Sequence, residues 1–270
     1  LEPFFKYHGL GNDFVVLDRR ERGVDIDADT TRRLCDRHVG VGADGVLTIL
    51  PSAGASGRMV VHNADGSIAQ MCGNGLRCVV KHLAERGAGQ PARLEVDTGA
   101  GRLSAELAWA AGRVAAVTVA MGPARLEAPI LPGGGPFVAQ RLGDVVGTAV
   151  SMGNPHLVLL DTPPAAAGEL GPRFERHPSF PERTNVEFVA ARPDGGLTVA
   201  VWERGVGLTL ACGTGACAAV TAAALAGRVA FEVWVPVALP GGVLDIRVAA
   251  DLSQVWLRGP ATFVFEGVLR

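Results

Sequence analysis

The sequence carries little charge and no surplus of either sign: 25 Lys and Arg stand against 27 Asp and Glu in 270 residues, a net charge of −2. That balance removes the attraction that nucleic acids and anionic membranes exploit, so neither is an expected partner and a small molecule is. Long apolar runs are also missing. The least polar stretch, Leu208 to Ala226, is interrupted by Gly, Ala and Thr and suits a buried helix better than a membrane span. Leu1 to Asp18 lacks the basic region, apolar stretch and small-residue cleavage site of a secretion signal. Cysteines are few and odd in number: Cys35, Cys72, Cys78, Cys212 and Cys217. They do not form a disulfide framework, and free thiols in a reducing cytoplasm are expected. What the chain has in quantity is apolar residues (48%) and glycine (36 residues), enough to bury two cores of ordinary size.

Shifted by 140 residues, the sequence repeats itself. Cys72-Gly73-Asn74-Gly75 falls on Cys212-Gly213-Thr214-Gly215, since 212 − 72 = 140. At the same offset Gly45 meets Asn185, Asn63 meets Glu203 and Gly87 meets Gly227, while Gly11-Asn12 meets Gly153-Asn154 at 142. A series of such matches indicates an internal duplication with one cysteine at the same place in each half.

The pattern of elements repeats as well. In the first half, strands are expected at 4–8, 14–17, 46–50, 58–63, 94–96, 102–107 and 114–119. One helix covers 29–38, and a longer one runs from about Asn74 to Arg86 and stops at Gly87. In the second half, strands are expected at 146–151, 156–160, 184–190, 197–203, 232–235, 243–248, 255–258 and 261–266. A short helix covers 170–177, and the main one runs from the second cysteine motif to Ala226, stopped at Gly227. Pro129 to Pro136 reads as a loop of the second half.

A cysteine at a helix start lies among unpaired backbone N–H groups and at the positive end of the helix dipole, which lowers the expected thiol pKa. The same N–H groups hold a carboxylate, and glycine lets it approach closely. Two such motifs suit abstraction of the α-proton of an amino acid: one sulfur removes a proton, the other supplies one, and the helix starts stabilise charge on the carboxylate. No cofactor is needed. Other uses of these cysteines fit less well. A zinc site is poor, because spacings of six and five place Cys72/Cys78 and Cys212/Cys217 about 240° and 140° apart on their helices. No metal is expected. A redox disulfide lacks a C-x-x-C motif, and neither cysteine loop is a dinucleotide fingerprint or a P-loop. Cys78 and Cys217, inside their helices, read as core residues. An isolated Cys, Asn or Glu-Arg pair is more often structural than functional; here the ordered series outweighs that.

His8-Gly-Leu-Gly-Asn-Asp13, Asn63-Ala-Asp-Gly-Ser67, Cys72-Gly-Asn-Gly75, Ser151-Met-Gly-Asn-Pro-His156, Glu203-Arg204-Gly205 and Ala211-Cys-Gly-Thr-Gly-Ala216 together resemble the diaminopimelate epimerase family, over nearly the whole chain. The resemblance implies an α/β (α+β) fold of two pseudo-symmetric domains, each a curled, mostly antiparallel sheet around a central helix, with the site in the cleft between. It implies domains of 1–117 plus 263–270, carrying Cys72, and 118–262, carrying Cys212. It further implies a cofactor-independent isomerase that interconverts LL- and meso-diaminopimelate in lysine and peptidoglycan-precursor synthesis. By motif, Cys72 and Cys212 are then the acid/base pair, and the backbone of Gly73, Asn74, Gly213 and Thr214 holds the reacting carboxylate. Asn12, Asn63, Asn154, Asn185, Glu203 and Arg204 bind the rest of the substrate, and His156 and Glu203 tune the cysteines. Some members carry Gln in place of Gly45, Ser in place of Thr214, or a dimer-contact Tyr in place of Phe265, which leaves a homodimer open. Proline racemases, hydroxyproline epimerases and PhzF-type isomerases share the fold but not the need for a second polar end on the substrate, which Asn63 and Glu203-Arg204 suggest. A thiol redox or metal-binding protein is the rival of a different class.

Overall fold

The computed structural model describes residues 1–128 and 130–270; Pro129, the start of the expected Pro/Gly-rich loop, lies outside the described residues. The chain divides into two compact units, Leu1–Val119 with Arg258–Arg270, and Ala120–Leu257.

The first unit contains β1 (Glu2–Gly9), β2 (Asn12–Asp18), α1 (Ala28–Cys35), β3 (Gly45–Leu50), β4 (Arg58–Asn63), β5 (Ile68–Ala69), α2 (Gly73–Arg86), β6 (Arg93–Thr98), β7 (Gly101–Ala110) and β8 (Arg113–Gly122), which leads into the second unit. The second contains β9 (Gln140–Leu142), β10 (Val145–Ser151), β11 (Pro155–Leu159), α3 (Ala167–Glu175), β12 (Asn185–Ala191), β13 (Leu197–Glu203), β14 (Gly207–Leu208), α4 (Gly213–Leu225), β15 (Val235–Leu239), β16 (Gly242–Val248) and β17 (Val255–Gly259). The last strand, β18 (Thr262–Leu269), pairs antiparallel with β1 in the first unit.

Strand pairing follows one scheme twice. In the first unit β1–β2 and β3–β4 are antiparallel, β2–β3 is parallel, β5 returns antiparallel on β4, and β6 joins β4 in parallel. In the second, β10–β11 and β12–β13 are antiparallel, β11–β12 is parallel, β14 returns on β13, and β15 joins β13 in parallel. The principal helix of each unit is packed by its own strands: α2 by β1–β4 and β6, α4 by β10–β13, β15 and β16. Both are buried almost all round, as a helix enclosed by sheet must be. The central strands are correspondingly buried on both faces. In β3, Val46 packs with Leu34 and Cys35 of α1, so the alternate residues Gly45, Leu47 and Ile49 lie on the α2 face. In β12, Val186 and Phe188 pack with Phe174 of α3, and Asn185, Glu187 and Val189 lie on the α4 face.

Some local expectations differ from what is found. The strand expected at 232–235 begins where it was expected to end: Glu232 has φ +62, a turn value, and β15 runs through Pro236 to Leu239. Pro236 sits within that strand because the fixed φ of proline is compatible with extended backbone. The expected 29–38 helix closes at Cys35, and Asp36 caps two following N–H groups with its side chain. Gly227 ends α4 region in the left-handed conformation at φ +68, whereas Gly87 stays at φ −83 and ends α2 without it. Short strands β5, β9 and β14 carry too little periodicity to be read from sequence. Among the described residues no helix is long and apolar enough to cross a membrane.

Candidate active site

Each unit places its cysteine at the N-cap of its principal helix. Cys72 and Cys212 both have extended backbone, at φ −142 and −121, and each sulfur accepts the N–H of the third helical residue at 3.4 Å, from Gly75 and Gly215. A β-carbon at either glycine would meet a neighbouring side chain. On Gly75 it would come within 2.9 Å of Leu47 Cδ2, and on Gly215 within 2.8 Å of Glu187 Oε1 and 3.3 Å of Cys212 Sγ. The glycines therefore allow the helix to start tightly against its sheet. None of the five cysteines is in a disulfide. Cys78 is fully buried and burial pushes its thiol up to about 12, which suits a core residue and not a nucleophile.

In the first unit, Asn12 stands between Cys72 and a charged clasp. Its Oδ1 accepts Asn74 Nδ2 at 3.1 Å and lies 4.0 Å from Cys72 Sγ, while its Nδ2 donates to Asp44 Oδ2 at 2.9 Å. Asp44 shares Arg37 with Asp13, and Lys6 pairs with Asp13 at 2.5 Å. Beneath the helix start lies Arg77, fully buried, which donates to Pro260 O, Gly73 O and Asn74 Oδ1. Since guanidinium only donates, the Asn74 oxygen is fixed toward Arg77 and its amide toward Asn12. Asn63, at the end of β4, is exposed and donates to Ser67 Oγ at 2.9 Å.

In the second unit, Asn154 occupies the corresponding place. Its Oδ1 is 3.0 Å from His156 Nε2 and its Nδ2 donates to Thr214 Oγ1 at 3.4 Å; that hydroxyl is 3.5 Å from Cys212 Sγ. His156, fully buried, turns its Nδ1 to Glu187 Oε1 at 2.7 Å, and Glu187 is fully buried too. Asn185 is committed to the backbone: it donates to Pro155 O and accepts the N–H of Arg204, both at 2.9 Å. Arg204 is exposed and donates to Glu182 O, and half-buried Glu203 accepts the Thr209 hydroxyl at 2.6 Å. Asn154, His156, Cys212, Gly213 and Thr214 are thus brought into one cluster, and Asn185 positions the Glu203-Arg204 turn.

The expected lowering of the thiol pKa by the helix start does not hold for Cys212. Burial, reinforced by the charges of Glu203 and Glu187, pushes it well up, and the donors at Thr214 and Gly215 oppose this without overcoming it. The helix-dipole argument omitted what lies behind the sulfur. Glu187 and Arg77, the buried groups under the two helix starts, were not among the expected site residues. The available signal was a charge at an otherwise apolar strand or helix position, Glu187 within Val186-Glu-Phe-Val189 and Arg77 within Leu76-Arg-Cys-Val79.

The family model for diaminopimelate epimerase matches residues 4–127 and 148–264. A diaminopimelate epimerase of Desulforudis audaxviator is 47% identical over 275 residues, covering 98% of each chain. Among solved structures, a PhzF-family phenazine biosynthesis protein of Bacillus anthracis superposes with a TM-score of 0.76 at 16% identity, covering 100% of this chain and 99% of the other. A hydroxyproline epimerase of Agrobacterium vitis, with bound trans-4-hydroxy-L-proline, gives a TM-score of 0.68 at 18% identity, covering 98% of this chain and 90% of the other. The two structures share the fold; at such low identity they carry nothing about substrate.

Proposed function

Because the chain belongs to the diaminopimelate epimerase family, we propose that it is a cofactor-independent isomerase that interconverts LL- and meso-diaminopimelate in lysine and peptidoglycan-precursor synthesis. The observation that carries the mechanism is a cysteine at the N-cap of the principal helix in each of two units of the same topology. In the reaction one cysteine, as thiolate, takes the α-proton, and the other, as thiol, delivers its proton to the opposite face. The electron pair of the broken C–H bond is delocalised into the carboxylate until the new C–H bond forms. The enzyme is left with its thiol and thiolate exchanged, ready for the reverse direction. The backbone N–H groups of Gly73, Asn74, Gly213 and Thr214, at the two helix starts, are suited to hold that carboxylate as its charge grows. The raised Cys212 thiol supports its role as the proton donor of the resting enzyme.

Asn12, Asn63, Asn154, Glu203 and Arg204 supply amides, an anion and a cation, the set that a second ammonium and carboxylate require. Asn185 serves by holding the Arg204 backbone. A cytoplasmic setting belongs to the same reading. So does a homodimer through β18, which leaves Val264, Phe265 and Val268 between 44% and 56% exposed.

The test is incubation of LL-diaminopimelate in heavy water. Deuterium is expected at one α-carbon of the meso product. Turnover of proline or hydroxyproline with none of diaminopimelate would overturn the substrate assignment. Sedimentation at micromolar concentration tests the dimer, and a monomer there excludes it.

A further inference from the structure

We propose that Glu187 is a positioning residue for Cys212: through His156 it fixes the direction of a hydrogen-bond chain that ends on the sulfur. The inference rests on reading Cys212 as an acid/base group.

The chain lies wholly within the second unit and runs Glu187 Oε1, His156 Nδ1, His156 Nε2, Asn154 Oδ1, Asn154 Nδ2, Thr214 Oγ1, Cys212 Sγ. Its links measure 2.7, 3.0, 3.4 and 3.5 Å. Direction follows from what each atom can do. Asn154 Oδ1 only accepts, so His156 Nε2 carries a proton. At Nδ1 a single proton is shared with the Glu187 carboxyl, on whichever atom it resides. Glu187 Oε2 has no hydrogen-bond partner among the described residues, so the bonding of this buried carboxyl is given to His156. With its oxygen taken by Nε2–H, the Asn154 amide presents N–H to Thr214. The Thr214 oxygen accepts that bond, and its own proton is left for Cys212. Were His156 to lose the Nε2 proton, Asn154 would turn over, offer its oxygen to Thr214, and draw the hydroxyl proton off the sulfur.

Cys212 needs this donor. Epimerisation in one direction makes it a thiolate, yet burial and the carboxylates of Glu203 on β13 and Glu187 on β12 oppose that charge. Thr214 and Gly215 of α4 donate to the sulfur and favour it. The first unit is built otherwise. At the positions matching His156 and Glu187 by the same offsets (156 − 142 = 14; 187 − 140 = 47) it has Phe14 and Leu47, both buried and apolar. The duplicated sheet thus needs no charge there to fold, and a buried carboxyl–imidazole pair is costly without a further use.

The test reads Cys212 alone and needs no substrate. In the Cys72→Ala protein at fixed pH, the rate of Cys212 alkylation by iodoacetamide, followed on its peptide by mass, reports the thiolate fraction. Thr214→Val is expected to slow it about tenfold, the loss of one hydrogen bond to a charged group. Glu187→Leu is expected to slow it as well, and the double variant to be no slower than the slower single. If Glu187→Leu fails to fold, the pair His156→Phe with Glu187→Leu installs the residue types of the first unit and is expected to show the same slowing. Faster alkylation would mean that Glu187 acts only as a nearby negative charge, and multiplied effects would mean that it acts apart from Thr214; either overturns the proposal. Because alkylation is independent of turnover, the chain can stand even if diaminopimelate is not the substrate.

Discussion

Asn12 and Asn154 occupy matching places beside the two cysteines, and their side chains are held by opposite means. Asn12 is gripped at the surface, where Asp44 takes its amide and is itself tied to Arg37, which is half exposed. Asn154 is gripped from inside by a histidine and a carboxyl with no solvent exposure. The amides also point differently: Asn12 turns its oxygen toward Cys72, while Asn154 turns its N–H toward Thr214 and leaves a hydroxyl for Cys212. One backbone plan therefore gives two electrostatic environments. On the proposed mechanism the two thiols, which would exchange roles in each turnover, do so from different surroundings.

The largest expected effect ignores that difference. Cys72→Ala and Cys212→Ala should each lower epimerisation by at least about 10²–10⁴-fold, the usual contribution of a general acid or base. Thermal unfolding should show both folded. Activity that survives the loss of either thiol removes the two-base mechanism.

A pair of glycine replacements separates the two helix starts. Alanine in a helix gains about 1 kcal/mol over glycine, while overfilling a packed site costs about 1–3 kcal/mol. At Gly75 the obstructing atom is a methyl of Leu47, free to shift, so Gly75→Ala is expected to be close to neutral. At Gly215 the obstruction is Glu187 Oε1, which cannot move without breaking its bond to His156. Gly215→Ala should therefore lose about 1–2 kcal/mol in urea unfolding, with a drop in turnover beyond that of Gly75→Ala. Equal losses would mean that the dyad yields as easily as Leu47.

How much of this was written in the sequence depends on what a residue needs to be recognised. The two helices behind Cys72 and Cys212 were legible because glycine spacing, a cap and an apolar run coincide at 73–86 and 213–225. The cysteines and their asparagines were legible through the ordered motifs. Glu187 was not, because it sits in a strand with nothing nearby in sequence to pair with; His156 meets it only when β11 and β12 align in parallel, His156 opposite Asn185. Arg77 was hidden in the same way, its acceptor at Pro260 lying far along the chain. The raised thiol of Cys212 follows from burial and then from the carboxylates of Glu203 and Glu187, which local reasoning about a helix start leaves out, so that reasoning gave its sign wrongly.

The smallest expected effect tests the surface grip of the first unit. Burial pushes the Asp13 carboxyl up, but hydrogen bonds from Arg37 and Lys6 outweigh it and hold the value down at about 2. A carboxyl with a depressed folded value contributes stability above its unfolded value, near 4, and loses it as pH falls toward about 2. Asp13 should thus contribute at most about 2 kcal/mol at neutral pH, less where salt screens the exposed Arg37. Urea unfolding of the parent against Asp13→Asn, from neutral pH downward, should show a gap that closes through this window and narrows with added salt. The Asn154 side has no such exposed partner, since Glu187 and His156 both lie away from solvent. A gap that stays constant to the acid limit would mean that Asp13 holds Arg37 and Lys6 by shape alone, and that the contrast between a screened grip and a buried one is not electrostatic.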